Sequence, residues 1–182
     1  MGLAERLGFW RRVGRWLNTE YGRRTLEAAR GFVNWTGGLA TPRLSADIPF
    51  TRYHGPLSGT RLAVVTTAGL YMEGDEPFDV DRAEGDPSFR VLPSDLDPLR
   101  LRVAHTHYTH RYFDEDHNVI LPFDRLRELA AAGVFRLAPR FFSFGFGGTL
   151  TREYVDRDTG TAHAVARALR EDGADAVLLV PA

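Results

Sequence analysis

Apolar residues fall into short, separated runs along the chain. Arg61-Leu-Ala-Val-Val-Thr66 is β-branched, mostly apolar, and stops at Thr67-Ala68-Gly69, which predicts a buried strand and its turn. Phe89 to Leu92 predicts a short strand. Leu99, Leu101 and Val103 alternate with Arg100 and Arg102, the pattern of a half-buried strand. Pro122 suits a first helical position, Leu126, Leu129 and Ala130 mark one helical face, and Gly133 suits the C-terminal cap. A second helix is predicted over 161–172, with Ala162, Val165, Ala166 and Leu169 on one face and Gly173 at its end. Val134 to Phe144 contains a further strand. Ala176-Val-Leu-Leu-Val180 is uninterruptedly apolar and predicts a buried central strand. Helices alternating with apolar strands define an α/β class, a mostly parallel sheet with flanking helices in Rossmann-like layers. The α/β domain is expected over 56–182.

The first 55 residues have another texture and are expected to form a helical appendage and linker. Leu3, Leu7, Trp10 and Leu17 lie near helical spacing, with Val13 and Trp16 beside them. A second helical stretch from Leu26 to Trp35 ends at Gly37-Gly38, and Pro42, Pro49 and Pro56 punctuate the linker. Residues 1–30 hold seven Arg against three Glu. Two readings stand: a surface helix for anionic lipid or an acidic partner, or a helix docked on the domain by its Trp face. Residues 71–99 have the opposite charge, nine carboxylates against Arg82 and Arg90.

The 182 residues carry 23 basic and 24 acidic groups, so no global basic field exists and nucleic acid is not an expected partner. Every basic residue is Arg, which excludes a Schiff-base or P-loop lysine. Cysteine is absent, which excludes a disulfide framework, a thiolate metal site and a thiol nucleophile within these residues. No run reaches the ~18 apolar residues of a membrane span, and the N-terminus has no continuous apolar core of a secretory signal. A cytoplasmic protein without a membrane partner is expected.

Candidate chemistry comes after the predicted strands. Thr66, Thr67 and Gly69 succeed the first; His105, His107 and His110 succeed the strand near 101; Ser143 and Gly145 succeed the strand near 140. If these strands are parallel, their C-terminal ends share one rim, where ligands bind in open α/β sheets. Four of six histidines fall within 105–117, with Asp114 and Asp116 close by. Three readings stay open: an acid/base site near neutral pH, a metal site of hydrolase type, and a polar strand-end loop whose imidazoles bond backbone. No metal is assigned. Gly145 to Gly148 reads as an anion cradle or a tight turn between aromatics.

Several segments in order resemble a family. They are Leu62-Ala-Val-Val-Thr-Thr-Ala-Gly69, Gly85-Asp-Pro-Ser-Phe-Arg90, Pro93-Ser-Asp95, His105-Thr-His-Tyr-Thr-His110, Pro122-Phe-Asp-Arg-Leu-Arg-Glu-Leu-Ala130 with Gly133, Ala138-Pro139 with Ser143-Phe144, and Ala174-Asp-Ala-Val-Leu-Leu-Val-Pro181. Together they resemble the selenoprotein B subunits of glycine/sarcosine/betaine reductase and D-proline reductase, over roughly 56–182. The resemblance implies reductive cleavage of a substrate C–N bond by a selenocysteine or cysteine, expected directly after Ala182. The chain is therefore expected to be an N-terminal fragment, inactive alone, with no cofactor of its own. Where Thr106 and Thr109 stand, the family typically has acidic residues. The implied site places His105, His107 and His110 as catalytic groups and Thr66, Thr67, Gly69, Arg90, Ser143 and Gly145 against the substrate. Arg90 or Arg140 would pair with the carboxylate of a small amino-acid-like substrate. Expected partners are reductase subunits or further copies of the chain. A non-catalytic binding or subunit-interface module, and a metal-dependent hydrolase using the 105–117 cluster, are the rival functions. A sheet ending on Val177 to Val180 is also expected to present an uncovered face or an unpaired edge.

Overall fold

The computed structural model describes residues 12, 13, 15, 16, 19–28, 51–82, 85–106, 108, 110–145 and 151–181. Arg12, Val13, Arg15 and Trp16 are helical, and α1 spans Glu20–Ala28. The expected helix from Leu26 to Trp35 lies mostly outside the described residues, as do His107 and Phe146 to Leu150.

The main sheet is built from β1 (Arg61–Thr66), β3 (Phe89–Pro93), β5 (Arg136–Leu137), β6 (Arg140–Phe144) and β7 (Ala176–Val180). A separate pair joins β2 (Leu70–Met72) antiparallel to β4 (Leu101–Val103). β1 pairs in parallel with β7 along Leu62 to Thr66. Its other edge takes β5 at Arg61–Leu62 and β6 at Val65–Thr66, also in parallel. β3 closes that side antiparallel to β6. The sheet is mixed, mostly parallel, and the class is α/β.

Period-two alternation puts neighbouring residues of β1 and β6 on opposite faces. Val64 and Phe141 join a core with Leu92, Leu121, Phe123 and Leu126, while Phe142 and Phe144 pack with Val165, Val65 and Phe89. After the short α2 (Arg111–Glu115), α3 (Phe123–Ala131) covers the first core, and α5 (Thr161–Glu171) covers the second, aided by Tyr154 of α4 (Thr151–Val155). Both long helices end alike. Gly133 (φ 75°) and Gly173 (φ 67°) take the left-handed conformation, and Val134 N–H and Ala174 N–H donate back to the carbonyls of Leu129 and Leu169.

Three expectations need correction. Ala176–Val180 is a strand but neither central nor buried. It pairs with β1 alone, and Val177, Leu178 and Leu179 are exposed, Leu179 to 70%. On α3 the buried positions are Phe123 and Leu126, while Leu129 faces solvent and Pro122 is the N-cap. On α5 the packed face runs through Val165, Ala168 and Leu169, and Ala162 is exposed. Among the described residues no helix is long and apolar enough to cross a membrane.

Candidate functional site

The parallel pairing of β1, β6 and β7 brings their C-terminal ends together. The chain leaving β1 turns sharply there, because Thr66 Oγ1 accepts from Ala68 N–H (3.2 Å) and Thr67 N–H donates to Val180 O (3.3 Å). Gly69 N–H donates to Phe144 O (2.8 Å), and Leu70 N–H donates to Ser143 Oγ (2.8 Å). Thr66 and Ser143 are fully buried polar residues whose hydroxyls are spent on this turn. Thr67 is exposed on it.

Gly69 is required here. It has φ 66°, and a Cβ would sit 2.5 Å from Ala104 O and 3.1 Å from His105 Cβ. This close approach delivers the histidine segment to the rim. β4 belongs to the small antiparallel pair, yet Ala104 N–H donates to Gly69 O (2.9 Å), so His105 arrives beside the β1 turn. His105 is buried. Tyr108 donates its hydroxyl to Ala68 O (2.6 Å), and its ring lies 4.7 Å from that of His105 and 5.2 Å from that of His110. Burial pushes the Tyr108 phenol well above its ordinary pKa, so it stays a donor. His110 Nε2 lies 2.6 Å from His105 O, and a carbonyl only accepts, so Nε2 carries a proton.

A cavity of about 500 Å³ opens here, lined by His105, Thr106, His110, Phe78, Asp79, Asp81 and Arg15 among others. Phe78 ties it to the rim. A Cβ on Gly145 would meet the Phe78 ring at 2.7 Å, so only glycine lets β6 end against this wall. The site can hold a small polar molecule and give or take a proton through imidazole.

The structure therefore gathers Thr66, Thr67, Gly69, His105, His110, Ser143 and Gly145, but not the two arginines. Arg90 donates from Nε to Glu76 O (2.7 Å), from Nη1 to Ser88 Oγ (2.8 Å) and Phe89 O (3.1 Å), and from Nη2 to Pro77 O (3.1 Å). Its guanidinium lies 4.4 Å over Phe78, so Arg90 clamps the acidic loop. Arg140 makes a bidentate pair with Asp172 (2.7 and 2.9 Å), which ties β6 to the end of α5 and raises the Arg140 pKa. Sequence reasoning missed Tyr108, Phe78 and Arg15. Tyr108 sits inside the histidine run, where an aromatic between imidazoles signals a packed cluster.

His117 is turned elsewhere, its Nε2 3.0 Å from Asp124 Oδ2, where Asn118 also donates and accepts to start α3. Among the described residues no group of three or more His, Asp or Glu is placed to hold a metal ion.

The polar turn, the histidines and the cavity lie beside the C-terminal strand ends of a mostly parallel α/β sheet, the edge where open α/β sheets bind ligands. The chain belongs to the glycine/sarcosine/betaine reductase selenoprotein B family, which matches residues 45–182. It is also 36% identical, over 124 residues, to the D-proline reductase subunit gamma of Acetoanaerobium sticklandii. That match covers 68% of this chain and 49% of the relative, so the chain spans about half the length of the curated relative it matches. No solved structure matches the chain.

Proposed function

We propose that this chain is the substrate-holding part of a reductase that cleaves the C–N bond of a small amino-acid-like substrate. In that chemistry the C–N bond takes up two electrons and two protons, releasing amine and leaving C–H. A selenol or thiol with a partner thiol is oxidised to a selenide-sulfide or disulfide. These 182 residues contain no Cys, so the chalcogen nucleophile would come from polypeptide other than these residues. The residues here bind and orient substrate in the cavity, and His105 with His110 manages the proton that goes to the leaving nitrogen. Reductase subunits are the fitting partners, and a cytoplasmic site suits a selenol or thiol kept reduced.

The observation that carries this reading, within the family, is the convergence of His105 with the Thr66–Gly69 turn beside a 500 Å³ cavity. Calorimetric titration of the chain with glycine, sarcosine, betaine and D-proline tests it. Saturable binding of at least one, weakened by His105→Asn, is expected. No binding to any of them overturns it. With dithiothreitol as donor, the chain alone should release no product above a protein-free control.

A second reading, a non-catalytic interface module, is favoured by the exposed edge of β7, where Leu179 faces solvent. It predicts tight association with another reductase subunit and no amino-acid binding.

A further inference from the structure

The two arginines expected to meet a substrate carboxylate are spent elsewhere, yet the cavity beside His105 contains a cation. Among its described lining residues, Arg15 is the only Arg or Lys. Arg15 lies in the helical N-terminal segment, outside the family match to residues 45–182. Its Nη2 pairs with the carboxylate of Asp81 in the acidic loop.

We propose that Arg15 is the carboxylate anchor of this cavity, and that Asp81 is the group a ligand carboxylate displaces from it. The proposal rests on the amino-acid-binding reading and adds the residue that selects for the carboxylate. Three observations carry it. First, the pair is exchangeable. Both side chains are at least half exposed, 50% for Arg15 and 70% for Asp81. A solvent-exposed ion pair contributes only about 0–1 kcal/mol, so replacing one carboxylate by another costs little. Arg140 cannot exchange in this way, because its Asp172 partner is 9% exposed and bidentate.

Second, the wall is charged on both signs. Asp79 spends Oδ1 on the N–H groups of Asp81 and Arg82, 2.9 and 3.1 Å away. Its Oδ2 makes no hydrogen bond among the described residues and can take a ligand ammonium. One guanidinium against two carboxylates disfavours a bare anion and suits a zwitterion, whose cationic end meets an Asp while its carboxylate meets Arg15. Third, Arg15 is in the appendage and Asp81 in the loop that carries Phe78, so exchange at this pair couples ligand entry to how the N-terminal segment sits on the cavity.

The test is calorimetric titration of the full chain with the amino acids named above and with their carboxamides, which keep the amine and lose the charge. Wild type should bind the acid at least ten-fold more tightly than the amide. Arg15→Gln should weaken the acid ten-fold or more and leave the amide unchanged. Arg15→Lys should recover part of the loss, and Asp81→Asn should tighten the acid. Arg24→Gln, on an exposed pair with Glu20 in α1, should change nothing. Circular dichroism melts of each variant establish that it is folded. If wild type and Arg15→Gln bind the acid equally, the anchor is wrong and the amino-acid reading stands. If Asp81→Asn weakens the acid, Asp81 is a ligand contact and the exchange is wrong. If wild type binds none of the amino acids, the amino-acid reading falls and this proposal falls with it.

Discussion

The two flanks of β1 contrast sharply. Phe141, Phe142, Ser143 and Phe144 of β6 are all buried, between β1 and β3 and under helices on both faces. β7 is as apolar in sequence, yet Val177, Leu178 and Leu179 are exposed, because its far edge has no strand beside it among the described residues. An apolar run reports that a segment is suited to burial on both faces. It does not report which strands flank it. Aromatic residues sit on the covered side and small aliphatic ones on the open side, so the energetic weight of the sheet lies with β6.

The contrast predicts its own largest effect. Phe142 is 1% exposed and packs edge-on against Phe89, ring centroids 5.9 Å apart. Phe142→Ala should cost about 3–5 kcal/mol through lost burial and a residual cavity. Leu179→Ala, at 70% exposure, should stay within about 0.5 kcal/mol. Urea unfolding of the two variants measures both. Equal losses would mean that β7 is covered in solution by another copy of the chain. Leu179→Asp should then dissociate that assembly, as light scattering would show.

The rim should be nearly as sensitive. Gly69→Ala places a Cβ 2.5 Å from a backbone oxygen at φ 66°, and no side-chain rearrangement relieves that contact. A loss of about 2–3 kcal/mol is expected. Ser143→Ala leaves the buried Leu70 N–H without its acceptor, for about 1–2 kcal/mol. The two variants sharpen the comparison, because both act on the side of β1 where polar latches, not apolar area alone, fix the turn. A Ser143→Ala protein as stable as wild type would remove the latch from the account.

Much of this was legible in the sequence. The strands at 61–66 and 89–92, a strand within 134–144 and both long helices are readable from periodicity and from Gly133 and Gly173. The meeting of Thr66 and Ser143 on one rim is readable from motifs at the ends of parallel strands, whereas the strand before His105 lies outside the parallel sheet. What was not legible depends on three-dimensional neighbours. β4 reaches the rim from a separate antiparallel pair, through Gly69, which no periodicity signals. Arg90 and Arg140 looked available because a sequence does not show which carbonyls and carboxylates already hold a guanidinium. The exposure of β7 depends on what lies beside it, which its own residues do not encode.

The smallest effect concerns what covers the β6 side, the acidic loop around Asp86. Its Oδ1 accepts from Ser88 N–H (2.8 Å) and Ser88 Oγ (2.5 Å), its Oδ2 from Asp79 N–H (2.9 Å), and its carbonyl from the Tyr154 hydroxyl (3.2 Å). Burial opposes ionisation of Asp86, but the Ser88 and Asp79 donors and the Arg90 charge outweigh it and hold the carboxyl below its ordinary 3.8. A carboxylate with a depressed folded pKa lends stability above its unfolded value and loses it as pH falls through the folded one. Wild type should therefore exceed Asp86→Asn by a constant margin from pH 7 down to about 4. The margin should then shrink, as the Asp86 carboxyl takes up its proton, while Leu179→Ala shows no such convergence with wild type. Urea midpoints at half-unit pH intervals measure this. A margin that persists unchanged to pH 2.5 would mean that Asp86 acts through the shape of its loop and not through its charge.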